Sequence, residues 1–264
     1  MTERLYDDLA AAVRADEPVA LATVIAGPKA GAKLLVRPGL AAEGTLGDPD
    51  LDRVVARDAL GELAAGTTAV RHYGEHGEAR EAVVAVFVES FAPPPRMLVF
   101  GAVDFTAALV RVAKVLGYRV TVCDAREVFA TRARFPQADE VVVDWPDRLL
   151  GRVGGSLTTR DAVCVLTHDA KFDVPALVAA LATDVGYIGA MGSRRTHTDR
   201  VARLVEAGVG EEGLARIRAP IGLDLGARTP EETAVSICAE IIAQRTGRAD
   251  ARPLRDTDGP IHRA

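Results

Sequence analysis

The sequence predicts an α/β protein in which a small α/β domain precedes a larger, doubly wound parallel sheet. Beyond a triple proline, short continuous apolar runs alternate with amphipathic helical segments, as in a parallel sheet covered on both faces. Before it, apolar strands lead to a hairpin with a glycine turn. Because Pro93-Pro94-Pro95 cannot continue a strand ladder, we place the boundary there. The expected parts are residues 1–92, residues 96–250 and a loose tail over 251–264.

The first domain is predicted to open with a helix over about residues 3–15, followed by strands over 19–25 and 33–36. Asp48 and Pro49 then form a typical helix start, with the helix running to about residue 65. A hairpin with arms over 67–73 and 79–91 closes the domain around the turn from Gly74 to Gly77.

The second domain is predicted to alternate five strands with four helices. The strands are expected over 97–100, 119–123, 140–143, 162–166 and 185–188, and the helices over about 105–116, 174–182, 195–207 and 230–246. Right-handed crossovers would bring the carboxyl ends of all strands to one edge, which is where open sheets of this kind bind ligands.

Composition excludes several classes of function. A formal net charge of −5 over 264 residues argues against a general electrostatic grip on nucleic acid or anionic membrane. The N-terminal segment lacks the features of a secretory signal, and no apolar run approaches bilayer-spanning length. We therefore expect a cytoplasmic protein without membrane insertion. Cys123, Cys164 and Cys238 each lie in an apolar pattern and are expected to be buried reduced thiols, and we expect no metal site.

Two glycine loops, YIGAMGSRR and PIGLDLGARTPEE, each lead into a predicted helix. Glycines let the backbone curl and expose its N–H groups, and the helix adds its positive end, so each loop favours an anion. Tight strand-to-helix connection alone is the alternative. Thr229 is predicted as the second helix's N-cap, with Pro230 following it and Glu232 closing a capping box. The candidate cofactor contacts are Gly189, Gly192, Ser193, Arg194, Arg195, His197, Gly222 and Asp224.

A third glycine follows the first strand of the second domain. The segment GAVDFT keeps only Gly101 of the G-x-G-x-x-G pattern of dinucleotide-binding loops, and Asp104 is expected to cap the helix itself. Asp124 ends the next strand, where an acidic residue would hold a ribose hydroxyl, and Arg126 could face a 2′-phosphate. An NAD(P)-dependent oxidoreductase with a degenerate loop therefore stays open.

Thr167, His168 and Asp169 follow the predicted strand over 162–166 and should emerge at the carboxyl edge. His168 could hydrogen-bond a ligand or transfer a proton, and Asp169 could orient its neighbours. Alternatively, Asp173 is simply the cap of a helix that starts at Val174.

The segments LGYRVTVCDAR, RFPQADEVV, VLTHDAKFDVPAL, YIGAMGSRR and PIGLDLGARTPEETAVSICAEIIAQRTG occur in this order within residues 97–247. As a set they resemble the C-terminal Rossmann domain of the XdhC/CoxI family, the accessory proteins of xanthine dehydrogenase and related molybdenum hydroxylases. Residues 19–60 resemble a reduced version of that family's N-terminal domain, in ALATVIAGPKAGAKLLV and EGTLGDPDLDRVV.

The resemblance implies a maturation factor, a chaperone rather than a catalyst, that binds molybdenum cofactor transiently for its sulfuration and for insertion into an apo-hydroxylase. Expected partners are the apo-form of the molybdenum hydroxylase and, in addition, a cysteine desulfurase or a complete XdhC paralogue. The Ala-rich C-terminal helix permits a homodimer.

The sequence departs from the family pattern at both expected binding elements. The N-terminal domain contains no cysteine, and the loop at Gly101 lacks the later glycines and carries Asp104 where the family has histidine. A cysteine-dependent role in holding the metal or its sulfur is therefore not carried over. A cofactor-free scaffold that supports a complete homologue is the remaining alternative.

Overall fold

The computed structural model describes residues 3–79, 81–248 and 251–257. The chain forms two compact units, one up to Pro94 and one from Pro95 onward. The first holds an antiparallel sheet and the second a parallel sheet, each combined with helices. The predicted fold class is thus confirmed. In the described part of the chain, no helix combines the length and apolar character needed to cross a bilayer.

The first unit is a five-stranded antiparallel sheet in the order β3-β2-β1-β5-β4. Its elements are α1 (Glu3–Arg14), β1 (Val19–Ala26), β2 (Lys33–Val36), β3 (Glu43–Thr45), α2 (Pro49–Ala65), β4 (Ala69–Tyr73) and β5 (Val84–Phe91). β3 was not predicted, because three residues carry no periodic signal. The second hairpin arm begins at Val84 rather than at residue 79, and Glu81, Ala82 and Val83 precede the strand as irregular backbone.

Helix α2 packs the first unit together. Leu51, Val55, Ala59 and Leu63 recur at helical spacing and are buried against the sheet. The predicted start is confirmed: the Asp48 side chain accepts the N–H groups of Asp50 and Leu51, each at 3.0 Å, and Pro49 takes the first helical position.

The second unit is a six-stranded parallel sheet in the order β11-β10-β9-β6-β7-β8. Its elements are β6 (Arg96–Phe100), α3 (Asp104–Val115), β7 (Arg119–Cys123), β8 (Glu140–Val142), α4 (Pro146–Val153), β9 (Ala162–Val165), α5 (Ala170–Leu181), β10 (Tyr187–Ala190), α6 (Arg194–Glu206), α7 (Glu211–Arg216), β11 (Ile217–Arg218) and α8 (Pro230–Arg245). This is the strand order of a dinucleotide-binding fold, and it reverses between β6 and β9.

Both faces of the parallel sheet are covered, which explains the continuous apolar runs. In β6, Met97 and Val99 pack with α3 and α8 on one face, whereas Leu98 and Phe100 pack with α4 and α5 on the other.

Three elements of the second unit, α4, α7 and β11, were not predicted, because all are short. In the predicted loose tail, residues 254–256 form one 3₁₀ turn, and residues 258–264 lie outside the described residues.

Candidate functional site

The candidate residues gather at the carboxyl edge of the parallel sheet. Gly101 follows β6, Asp124 follows β7, the segment Thr167–Asp169 follows β9, and the segment Gly192–Arg195 follows β10. Because these strands are parallel, all four loops leave the sheet at the same edge. β6 and β9 are adjacent, so Gly101 and Thr167 flank the point where the strand order reverses.

Gly101 is required by the close approach of these two loops. Its φ is +110°, and a Cβ at this position would lie 2.7 Å from Cγ2 of Thr167 and 3.0 Å from its backbone nitrogen. The glycine therefore permits packing between the loops, whatever the ligand.

Asp124 is buried, and its carboxylate is filled by partners within the protein. It accepts the N–H of Ala102 at 2.8 Å, the N–H of Arg126 at 2.9 Å and two further hydrogen bonds from the Arg126 guanidinium at 2.8 and 2.9 Å. Burial alone would raise the pKa of Asp124, but these bonds outweigh it and hold the pKa below its ordinary value. The predicted ribose contact is thus opposed by the structure, because the carboxylate is turned toward the loop at Ala102.

The N-terminus of α3 is not capped by Asp104, so that prediction is wrong. Val103 is the N-cap and makes no side-chain cap bond, whereas Asp104 is already helical and its exposed carboxylate pairs with Arg134 at 3.4 Å. A groove of about 330 Å³ opens beside this helix end. Arg111 also lines it and pairs with Glu231 at 2.8 Å, so both arginines of the groove already face carboxylates.

The loop after β9 carries one buried and two exposed candidates. Thr167 is buried, whereas His168 and Asp169 are exposed. Asp169 is the N-cap of α5 and accepts the N–H of Lys171 at 3.1 Å. The interpretation of Asp173 as the cap is therefore wrong. The helix begins earlier than predicted because Pro175 is accommodated inside it, at the loss of one backbone hydrogen bond.

Asp173 instead belongs to a buried polar chain. It accepts hydrogen bonds from the Thr167 hydroxyl and, at 2.9 Å, from Nη2 of Arg200, which also donates to the carbonyl of Met191 at 2.7 Å. Burial raises the pKa of Asp173 to about 6, although the hydrogen bond from Arg200 opposes the shift. Sequence reasoning missed Arg200, although its position four residues before the buried Leu204 places it on the inner face of α6.

Gly189 does not belong to a loop. It lies inside β10, in register with Cys164 on one side and Arg218 on the other, so its N–H belongs to the sheet and is removed from the donors open to a ligand. A Cβ here would overlap Cδ1 of Ile221. This glycine is a packing requirement.

The segment from Gly192 to His197 keeps free cationic groups. Ser193 is the N-cap of α6 and accepts the N–H of Thr196 at 3.1 Å, so its hydroxyl is engaged in capping. Arg194 and Arg195 are the first two helical residues and are exposed, and neither guanidinium has a partner among the described residues. His197 is half-buried, and burial together with the charge of Arg200 lowers its pKa.

The second glycine loop is tied to α8. Gly222 has φ +101° and donates its N–H to Glu240 at 2.8 Å, which contradicts its predicted role as a donor to an anion. The predicted Thr229 cap is confirmed, with the Glu232 carboxylate accepting the N–H of Thr229 at 3.1 Å. That carboxylate fills the positive end of α8. Asp224 is exposed, with no hydrogen bond or ion pair to another described residue.

An aromatic contact also lies at the carboxyl edge of the sheet. Trp145 is the N-cap of α4, and its ring centroid lies 5.0 Å from that of Phe172 in α5.

All three cysteines are buried free thiols, as predicted, and burial raises the pKa of Cys123 to about 12. Among the described residues, no group of three or more His, Cys, Asp or Glu side chains is placed to hold a metal ion.

Two protein-family models match this sequence. The XdhC Rossmann domain matches residues 97–241, and the model of the XdhC and CoxI family matches residues 12–74.

Curated relatives share about 30% identity with the chain. A protein from Bacillus subtilis (strain 168), described as one of the subunits of a probable xanthine dehydrogenase, is 32% identical over 160 residues, which are 61% of this chain and 46% of the relative. The molybdenum cofactor insertion chaperone PaoD from Escherichia coli (strain K12) is 31% identical over 60% of this chain and 43% of its own length. The uncharacterized protein YqeB from the same bacterium is 28% identical over 85% of this chain and 43% of its own. The chain thus spans less than half the length of these relatives.

A crystal structure described as a xanthine dehydrogenase from Bacillus halodurans is similar to this chain with a TM-score of 0.54. The match covers 91% of this chain and 96% of that one, at 21% sequence identity. At this identity the likeness supports the fold.

Proposed function

The chain belongs to the XdhC/CoxI family, and from that premise we propose that it binds molybdenum cofactor as cargo and assists its sulfuration or its insertion into a xanthine dehydrogenase-type molybdenum hydroxylase. The name of PaoD supports the cargo, and the name of the Bacillus subtilis relative supports the class of client enzyme. Because the chain spans less than half of these relatives, the client and the partners are part of the proposal.

The observation that carries the proposal is the pair of free guanidinium groups at the start of α6. Arg194 and Arg195 lie at the positive end of a helix, and neither guanidinium is neutralised by a carboxylate among the described residues. Forked guanidinium donors match phosphate geometry, and a helix N-terminus adds to the attraction. The cofactor carries a pterin phosphate, so this end of the cargo fits the residues present.

The other exposed groups of the edge complete the proposed site. His168 and Asp169 follow β9 and can hydrogen-bond the polar rim of a pterin. Arg126 lies near Asp169, but its guanidinium is paired with Asp124. For the metal and its sulfur, the described residues provide neither an exposed thiol nor a ligand cluster. The proposed grip is therefore on the pterin and phosphate end. Sulfur chemistry falls to a partner, such as a cysteine desulfurase or a complete paralogue.

The test is to co-express the chain with a cofactor supply, purify it, and measure the oxidised pterin released per mole of protein by fluorescence. Wild type carries pterin, whereas Arg194→Ala/Arg195→Ala carries at least about tenfold less, since each charge-assisted hydrogen bond is worth about 1.5–3 kcal/mol. Arg203→Ala, an exposed arginine of the same helix, is the control and keeps the wild-type amount. Wild-type protein that carries no pterin and binds no apo-hydroxylase overturns the proposal.

A second candidate function is a cofactor-free scaffold for a complete homologue. It is favoured by the carboxylates of Asp124, Glu232 and Glu240, which fill the positions that a ligand anion would take at Ala102, Thr229 and Gly222. This function predicts stoichiometric copurification of a complete family member and no pterin in the isolated chain. Pterin in the isolated chain rejects it.

A further inference from the structure

Arg200 links the two loops of the proposed anion site from beneath. We propose that it is the positioning residue of that site, fixing the loop after β9 and the loop after β10 relative to one another so that both contact one ligand. The inference rests on the function proposed above, because it assumes that an anion binds where these loops meet.

A continuous chain of hydrogen bonds carries the inference. From Thr167 in the first loop it runs to Asp173 on α5, then to Nη2 of Arg200 on α6, and from there to the carbonyl of Met191 at the end of β10. Thr167 is 5% exposed, Asp173 3% and Arg200 2%. Buried hydrogen bonds of this kind are little screened by water. This series of bonds therefore restrains both the loop after β9 and the loop after β10.

The loop after β10 lies directly against this guanidinium. A Cβ at Gly192 would be 3.6 Å from Nη2 of Arg200 and 3.1 Å from Cβ of Thr196. The backbone that leads to Arg194 and Arg195 therefore passes close to Nη2 of Arg200.

Arg200 also carries a buried hydrogen-bond donor that no described residue accepts. Its Nη1 and the Nδ1 of His197 are both buried without a hydrogen-bond partner among the described residues, and they lie one turn apart on the inner face of α6. An unpaired buried donor costs free energy, which the bonds of Nη2 to Asp173 and Met191 help to offset.

The pairing of β9 with β10 does not depend on this series of side-chain hydrogen bonds. β9 and β10 are held in register by four paired positions, from Tyr187 with Ala162 to Ala190 with Val165. Loss of the Arg200 bonds should thus release the loops and leave the strands in place. Lysine cannot replace arginine here, because its ammonium lacks the planar fork that fixes the directions of the bonds.

The first test measures binding of inorganic pyrophosphate to the full chain by calorimetry. The variants are Arg200→Lys and Arg200→Met, with Arg203→Lys and Arg203→Met as matched controls on the exposed face of α6. Both Arg200 variants are expected to weaken binding at least tenfold, whereas the Arg203 variants bind like wild type. Wild-type affinity in Arg200→Lys means that charge alone suffices, and this overturns the positioning role.

The second test follows amide hydrogen exchange in Arg200→Lys. Exchange is expected to rise together in residues 167–170 and 191–195, while residues 162–165 and 187–190 keep their protection. A rise in only one loop, or loss of protection in the strands, rejects the positioning role. Wild-type protein that fails to bind pyrophosphate rejects the anion site and this inference together. Wild-type protein that binds pyrophosphate but carries no pterin rejects only the cofactor proposal.

Discussion

The carboxylate of Asp124 accepts the backbone N–H of Ala102 at 2.8 Å, so a charge of the protein itself occupies the loop where a dinucleotide fold receives a pyrophosphate. The same arrangement recurs at Gly222, whose N–H is donated to Glu240. Each of these loops contains a glycine with positive φ. In each loop a carboxylate of the protein accepts the backbone N–H that would otherwise be open to a ligand anion. At the start of α6, by contrast, the guanidinium groups of Arg194 and Arg195 have no partner among the described residues and remain open to a ligand.

We expect Asp124→Asn to lower the free energy of unfolding by about 1–3 kcal/mol, because hydrogen bonds from a charged donor and from Ala102 lose their ionised acceptor. Urea denaturation measures the change. Asp104→Asn is the control: its carboxylate is 92% exposed, so the denaturation midpoint should not move. Equal effects of the two substitutions would contradict the assigned role of Asp124.

The wild-type chain is expected not to bind NAD(H) or NADP(H) at millimolar concentration. The carboxylate that would hold the ribose is engaged by Arg126, and the N–H of Ala102 is already donated. Calorimetry with each nucleotide checks this. Saturable binding in the micromolar range would show that Asp124 exchanges partners and would restore the dinucleotide hypothesis.

Gly222→Ala is expected to destabilise the second unit by about 1–3 kcal/mol, because φ is +101° and the added Cβ would lie 2.5 Å from Oγ of Ser236. Gly151→Ala is the matched control inside α4, where the new methyl group meets no atom within 4 Å. It should stabilise the protein by about 0.5–1 kcal/mol. Thermal unfolding of both variants distinguishes a packing glycine from a glycine without constraint.

Asp173 gives the stability a pH dependence of defined sign. Its pKa is about 6 in the folded protein and about 4 in an unfolded chain, so the folded state holds the proton more tightly. The contribution of this group therefore falls as pH rises from about 4 to 6 and is constant above. The stability advantage of wild type over Asp173→Asn should be smaller at pH 7 than at pH 4.5, by about 1–2 kcal/mol.

Urea denaturation of both proteins at the two pH values provides the measurement. A larger wild-type advantage at pH 7 would mean that the ion pair with Arg200 outweighs burial. Asp124 has the opposite sign, because its folded-state pKa is lowered, and its contribution is lost only as the pH falls below about 4.

The parallel sheet was predictable because its strands are buried on both faces. All four residues of β9 are buried, and so continuous an apolar run indicates a covered strand. The Thr229 cap was predictable as well, since its bonds join residues three apart in sequence. Local chemistry of this kind is readable from one segment.

The chemistry of Asp124 was not predictable. At the end of β7 a carboxylate can accept a ribose hydroxyl or an N–H of the neighbouring loop, and the sequence is the same in both cases. The role of Arg200 was not predictable from the sequence for a related reason, because its partner Asp173 lies on a different helix. An arginine on an inner helical face indicates a buried acceptor, but it does not say which one.

The contact between Trp145 and Phe172 makes the site observable. Trp145 is the only tryptophan in the sequence and is 38% exposed, so all indole emission comes from one ring at the carboxyl edge. Phe172 precedes Asp173, which ties that ring to the same buried bonds that hold both loops. The protein therefore contains an optical reporter of loop position that needs no label.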